Sequence, residues 1–235
     1  MKRLTILILL VTLVTLVSGQ ATADGIVADK VYHPLVLANE QEFEWRFLSS
    51  QTDEKNRLAQ RFGYGRALSA RVAAELYLIA ERDDVGNFQF QSYELEIRLM
   101  LTEQGQYWAD WGAIFEIERN TLIGSSEVAT GILFEKEIGR NSLTLNAILI
   151  YEWGDDIDDE FETEFRAQYR YRYMPEVQPS IEVYTGENYF GIGPALMGVR
   201  RFSGQKQLKW ELGFISELSN EIKDHSLRFS LEYEF

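Results

Sequence analysis

The chain has 235 residues, 46% hydrophobic and 26% charged, with 37 Asp+Glu against 23 Lys+Arg and a formal charge of −14. Nucleic acid needs a basic footprint that this acidic balance lacks, so no nucleic-acid partner is expected. Cys is absent, which excludes disulfides, thiolate chemistry and a lipidated N-terminal Cys.

Lys2 and Arg3 precede an apolar run from Leu4 to Val17, followed by Ser18, Gly19 and Ala21-Thr22-Ala23. A charged start, a short apolar run and a small-residue site describe a secretory signal peptide, residues 1–23, cut after Ala23. The run is too short for a spanning helix, which needs about 20 residues to cross a core of roughly 30 Å. Removing it leaves 21 Lys+Arg against 37 Asp+Glu, a formal charge of −16, on 212 residues. That length suits one domain. Tyr and Phe together number 26, and no convincing 3.6-residue period follows the signal peptide, which points to an all-β chain.

Residues 24–41 contain Pro34 and no clean period; they are expected to form an N-terminal segment, periplasmic or folded into a barrel mouth. Alternating segments fill 42–235. Phe43, Trp45 and Phe47 alternate with Glu42, Glu44 and Arg46; a weaker segment at about 57–68 carries Phe62 and Tyr64 between glycines. The third is centred on Val72–Leu78, the fourth on Tyr93–Leu101, and the fifth runs from Tyr107 to Ile117. Val128–Phe134 and Leu143–Trp153 make the sixth and seventh. In the eighth, Phe161, Phe165, Ala167, Tyr169, Tyr171 and Tyr173 alternate with Glu162, Glu164, Arg166, Gln168, Arg170 and Arg172. Segments at 179–185, 190–202 (interrupted by Pro194) and Leu208–Phe214 precede the last. That one, His225–Phe235, places Leu227, Phe229, Leu231, Tyr233 and Phe235 on one face and Ser226, Arg228, Ser230, Glu232 and Glu234 on the other.

A final strand ending on an aromatic residue resembles that of Gram-negative outer-membrane β-barrel proteins. The resemblance implies a closed antiparallel transmembrane up-and-down barrel of about 12 strands. It also implies a setting of outer-membrane lipid and lipopolysaccharide, and an insertion signal, Tyr233 and Phe235, read by the outer-membrane insertion machinery. An even strand number and aromatic girdles fit that class. Connections should then alternate between short periplasmic turns and longer outer loops. The string Thr102–Asp110 looks like a segment of uncharacterised proteobacterial outer-membrane proteins and implies no activity.

Lumen-facing residues tune selectivity in such barrels. Two inward clusters are expected: an acidic one of Glu94, Glu96, Glu116, Glu118 and Glu135, and a basic one of Arg166, Arg170 and Arg172. On opposite walls they would set a transverse field across a wet pore; paired with neighbours they would only fill the lumen. Asp155, Asp156, Asp158 and Asp159 form a dense acidic run on an outer loop, where hard oxygen ligands suit a divalent cation but the spacing is not that of an EF-hand. Hydrolysis would need a base beside a nucleophile. The chain has only His33 and His225, and Ser226 points to the opposite face from His225, so no enzyme is expected. A paired-acid site of Asp83, Asp84 and Asp155 is the remaining rim arrangement. No cofactor motif is present. Three readings follow: a small porin-like channel for a small polar solute, a closed structural or adhesion-type barrel, and a rim hydrolase. In size the chain resembles acidic-oligosaccharide porins. Their lumens are basic, and the Glu excess here favours cations or neutral sugars.

Overall fold

The computed structural model describes residues 29–51, 56–82, 86–154, 157–187, 189–219 and 225–235. The expected signal peptide, residues 24–28, and Asp83, Asp84, Asp155 and Asp156 lie outside the described residues. Twelve strands follow one another: β1 (Gln41–Gln51), β2 (Asn56–Ala67), β3 (Val72–Arg82), β4 (Phe88–Met100), β5 (Asp110–Asn120), β6 (Ser125–Ile138), β7 (Asn141–Gly154), β8 (Glu160–Tyr171), β9 (Gln178–Thr185), β10 (Phe190–Arg201), β11 (Gln207–Glu217) and β12 (His225–Glu234). Each pairs antiparallel with the next, and β1 pairs with β12 to close the barrel. At the seam Glu42 faces Glu234 and Gln51 faces His225. The Phe235 amide donates to the Gln41 carbonyl at 2.9 Å, so both ends of the barrel meet at one rim, here the terminal rim. Closure removes the unpaired strand edges that would otherwise invite aggregation.

The period-two pattern turns directly into two surfaces. Leu76, Leu78, Leu95, Ile132, Leu149 and Phe165 project outward and are exposed, as a lipid-facing belt requires. Aromatic contacts ring both ends of the belt. At the terminal rim Phe43 packs against Tyr64 and Phe235, and Tyr233 stacks on Phe235. At the far rim Tyr151 stacks on Trp153 at 5.4 Å and meets Phe161 at 4.5 Å.

Three local expectations are corrected. The fifth strand begins at Asp110, not Tyr107. The Thr102 hydroxyl accepts the Trp111 amide at 2.8 Å and the Asp110 carboxylate accepts the Gly105 amide at 2.8 Å, so side chains bonded to backbone wind 101–109 into a wide turn. That turn is the longest connection on either rim, so the outer loops are not the longer set. The interrupted tenth segment is a full strand. β10 pairs with β11 on both sides of Gly193–Pro194 but not at those two residues, because Pro supplies no ladder donor.

Candidate functional site

The interior is filled by the chain's own N-terminal segment. Asn39 adopts φ 65°, the left-handed conformation that Asn tolerates better than most residues. The reversal there folds the residues before it back from the terminal rim into the lumen. Val31, Tyr32 and Val36 are buried. Tyr32 packs with Ile114, Ala129, Leu133, Ile148 and Ile150, an apolar patch on the inner wall of β5–β7. Val31 packs with Tyr184 and Ile215 on the other side. Pro34 lies against Gly112, where an added Cβ would come within 2.9 Å of the Pro34 Cβ, so glycine leaves the wall recess that seats it.

Polar contacts fasten the same segment. Arg46 on β1 and Arg61 on β2 face each other in register, a like-charge pair that destabilises a sheet when left alone. Asp29 lies between them: its Oδ2 accepts from Arg46 Nη1 at 2.8 Å and from Arg61 Nη1 at 2.6 Å. Arg228 Nη1 donates to the Asp29 carbonyl at 2.8 Å. Lys30 Nζ donates to Glu44 at 3.2 Å, and the Lys30 carbonyl accepts from Arg166 at 2.9 Å. Asn146 on β7 holds Tyr32 twice, accepting its amide and donating to its carbonyl, both at 2.8 Å. His33 Nδ1 lies 3.0 Å from Glu135. The segment therefore crosses from β1, β2 and β12 to β6, β7 and β8. Asp29 sits outside the strands. Burial pushes its carboxyl up, but Arg46 and Arg61 outweigh burial and hold it well below the usual carboxylate range.

The wall completes the closure. Tyr77 lies flat over Gly63, where a Cβ would come within 2.3 Å of its ring. Its hydroxyl donates to Glu44 at 2.8 Å and accepts from Arg46 at 2.9 Å. Arg46 also grips Glu44 with Nε at 2.6 Å and Nη2 at 3.0 Å. Arg228 reaches Glu182 at 2.6 Å and also bonds Glu211. Tyr77, Tyr184, Glu96 and Glu182 are each 0% exposed. At this level the lumen is packed side chain against side chain.

The expected basic cluster does not form one face. Arg172 lies past β8 in an exposed turn and bonds Glu137 and the Gly139 carbonyl. Arg170 bonds Glu135, a member of the expected acidic cluster, so these two share one patch rather than facing across the lumen. Arg166 is spent on Glu164 and on the N-terminal segment. The expected transverse field is thus replaced by paired charges, because pairing relieves the cost of enclosing them.

The acidic cluster behaves differently. Register places Glu94 opposite Glu118, Glu118 opposite Glu127, Glu127 opposite Glu152 and Glu152 opposite Glu160. Carboxylates on five adjacent strands, β4 to β8, therefore stand side by side in one row. Glu96 faces Glu116 in the row beneath. On the rim loop Asp159 accepts from the Tyr151 hydroxyl at 2.9 Å. His225 stacks on Phe214 at 5.5 Å, while Ser226 hydrogen-bonds Ser50, so the two do not meet.

Sequence reasoning misses Asp29, Tyr32, Arg46, Arg61, Arg98 and Arg228 as site residues. The arginines sit on the polar phase of their strands, which is a usable signal. Asp29 and Tyr32 carry no periodic signal at all.

No protein-family model matches the chain, and no curated protein matches it by sequence. Solved structures match in shape. An outer-membrane channel from Pseudomonas putida F1 superposes with a TM-score of 0.57 at 13% identity, over 91% of this chain and 99% of that one. The KdgM porin gives 0.55 at 8% identity, over 83% and 99%. The translocator domain of the autotransporter NalP from Neisseria meningitidis gives 0.51 at 11%, over 85% and 89%. This chain has the fold of the Gram-negative outer-membrane β-barrels.

Proposed function

We propose that this protein is an outer-membrane channel for small polar solutes, held shut by its own N-terminal segment. The observation that carries the reading is that the obstruction is a separate piece of chain. Residues 29–36 fill the centre through hydrogen bonds and small apolar contacts, while the wall behind them carries Arg46, Arg61, Asn146 and Arg166 rather than a continuous apolar core. A twelve-stranded barrel is intermediate between those that side chains fill and those that leave a channel, so an added segment is what decides passage. The glutamate row on β4–β8 supports cations or neutral sugars over anions, as rings of carboxylates do in cation-selective pores.

A closed structural barrel is the second reading, favoured by the fully buried Tyr77, Tyr184 and Glu182 of the wall itself. Conductance in planar bilayers separates the two. The refolded mature chain should be silent or open rarely, and a chain lacking residues 24–36 should show stepwise, cation-selective conductance. Silence of that variant, once heat-modifiable migration shows it folded, would support the closed barrel. If the truncated chain does not fold, Asp29→Ala in the full mature chain serves the same comparison.

A further inference from the structure

We propose that Glu94, Glu96 and Glu116 form a binding site for a hard divalent cation, Ca²⁺, inside the barrel wall. Each places a carboxylate oxygen within 4.8 Å of the other two. Two Ca–O bonds of about 2.3–2.6 Å span such a separation, whereas two Mg–O bonds of about 2.0–2.1 Å reach only about 4.2 Å. Three carboxylates converge on this point because β4 and β5 pair in a register that sets Glu96 directly opposite Glu116, with Glu94 next along the same inner face of β4.

A second observation is independent of this convergence. Glu96 is 0% exposed, and neither of its oxygens has a hydrogen-bond partner among the described residues. Glu94 Oε1 and Glu116 Oε1 are likewise buried and unpartnered. A buried polar group without a partner is costly, and a buried carboxylate more so. The neighbouring cations do not relieve it. Arg61 bonds the other oxygen of Glu94. Arg98 is committed to Glu75, Arg46 to Glu44 and Asp29, and Arg166 to Glu164. Glu118, opposite Glu94, adds negative charge instead of neutralising it. A calcium ion would take the three free oxygens and complete its shell of six to eight with further carboxylate oxygens and water. The site stands whether or not the lumen conducts.

The test is calcium titration of the refolded full mature chain in detergent at neutral pH, by calorimetry and by the calcium-dependent rise of the unfolding temperature. The expected result is saturable uptake that weakens at least tenfold in Glu96→Gln and in Glu116→Gln, with the calcium-dependent temperature rise lost in both. Each variant removes a like charge from a crowded row, and heat-modifiable migration checks its fold. The double variant Asp158→Asn/Asp159→Asn should bind as the parent does. No calcium uptake, or uptake unchanged in Glu96→Gln, would overturn the site. Uptake lost in the Asp158/Asp159 variant alone would overturn it too, assigning the ion to the rim loop.

Discussion

Replacing Asp29 by Ala should loosen the plug without harming the barrel. The carboxylate accepts two guanidinium bonds, 2.8 Å from Arg46 and 2.6 Å from Arg61. Charge-assisted bonds contribute about 1.5–3 kcal/mol each. Removing the shared acceptor also leaves two cations facing one another in register, and breaking a buried ion pair from one side costs about 3–5 kcal/mol in all. At about 1.4 kcal/mol per tenfold, the opening equilibrium of residues 29–36 should rise roughly 100- to 3,000-fold. Hydrogen exchange reads this ratio at the Tyr32 amide, which Asn146 protects in the docked state. The barrel ladders should keep their protection, since no ladder hydrogen bond involves Asp29. An unchanged exchange rate at Tyr32 would refute the idea that the Asp29 bridge holds the segment. The same bridge sets a pH dependence. A carboxyl held below its ordinary value contributes docking stability above that value and loses it as pH falls through the docked-state value. Exchange at Tyr32 should therefore stay flat at neutral and mildly acidic pH and rise only in strong acid.

Three further outcomes are expected. Asn146→Ala removes both bonds to Tyr32; it strands a buried amide and carbonyl at about 1–3 kcal/mol each, which should appear as faster exchange at Tyr32 with an unchanged barrel melting point. Gly63→Val drives a side chain into Tyr77, whose ring an added Cβ would approach to 2.3 Å; overpacking of this kind costs about 1–3 kcal/mol, read as a lower urea midpoint. Leu76→Arg puts a charge on the exposed outer face of β3; at the membrane midplane this costs about 2–4 kcal/mol, so folding into vesicles should weaken by that amount.

The strands are legible in the sequence because a barrel wall separates two solvents. Alternation along 225–235 has to put Phe229 and Leu231 on one side and Arg228 and Ser230 on the other, whatever the partners are, and the same logic holds for β1, β4, β7 and β8. The turn at 101–109 escapes this reading because Tyr107 and Trp111 keep the alternating phase, while hydrogen bonds from Thr102 and Asp110 decide where the strand starts. Charge pairing is not legible either. Parity says that Arg170 and Glu135 face inward, but only register brings them together.

Periodicity and hydrophobicity within each segment were enough to set the number of strands and to say which residues meet lipid and which meet the lumen. These are local properties, readable one segment at a time. Whether the lumen is open, and which glutamates stand side by side, are not local. They depend on strand register around the closed barrel and on where an aperiodic segment folds back, and both are set by contacts between residues far apart in the chain. Asp29 meets Arg61 and Arg228, and Tyr32 meets Asn146, only once the barrel has closed around them.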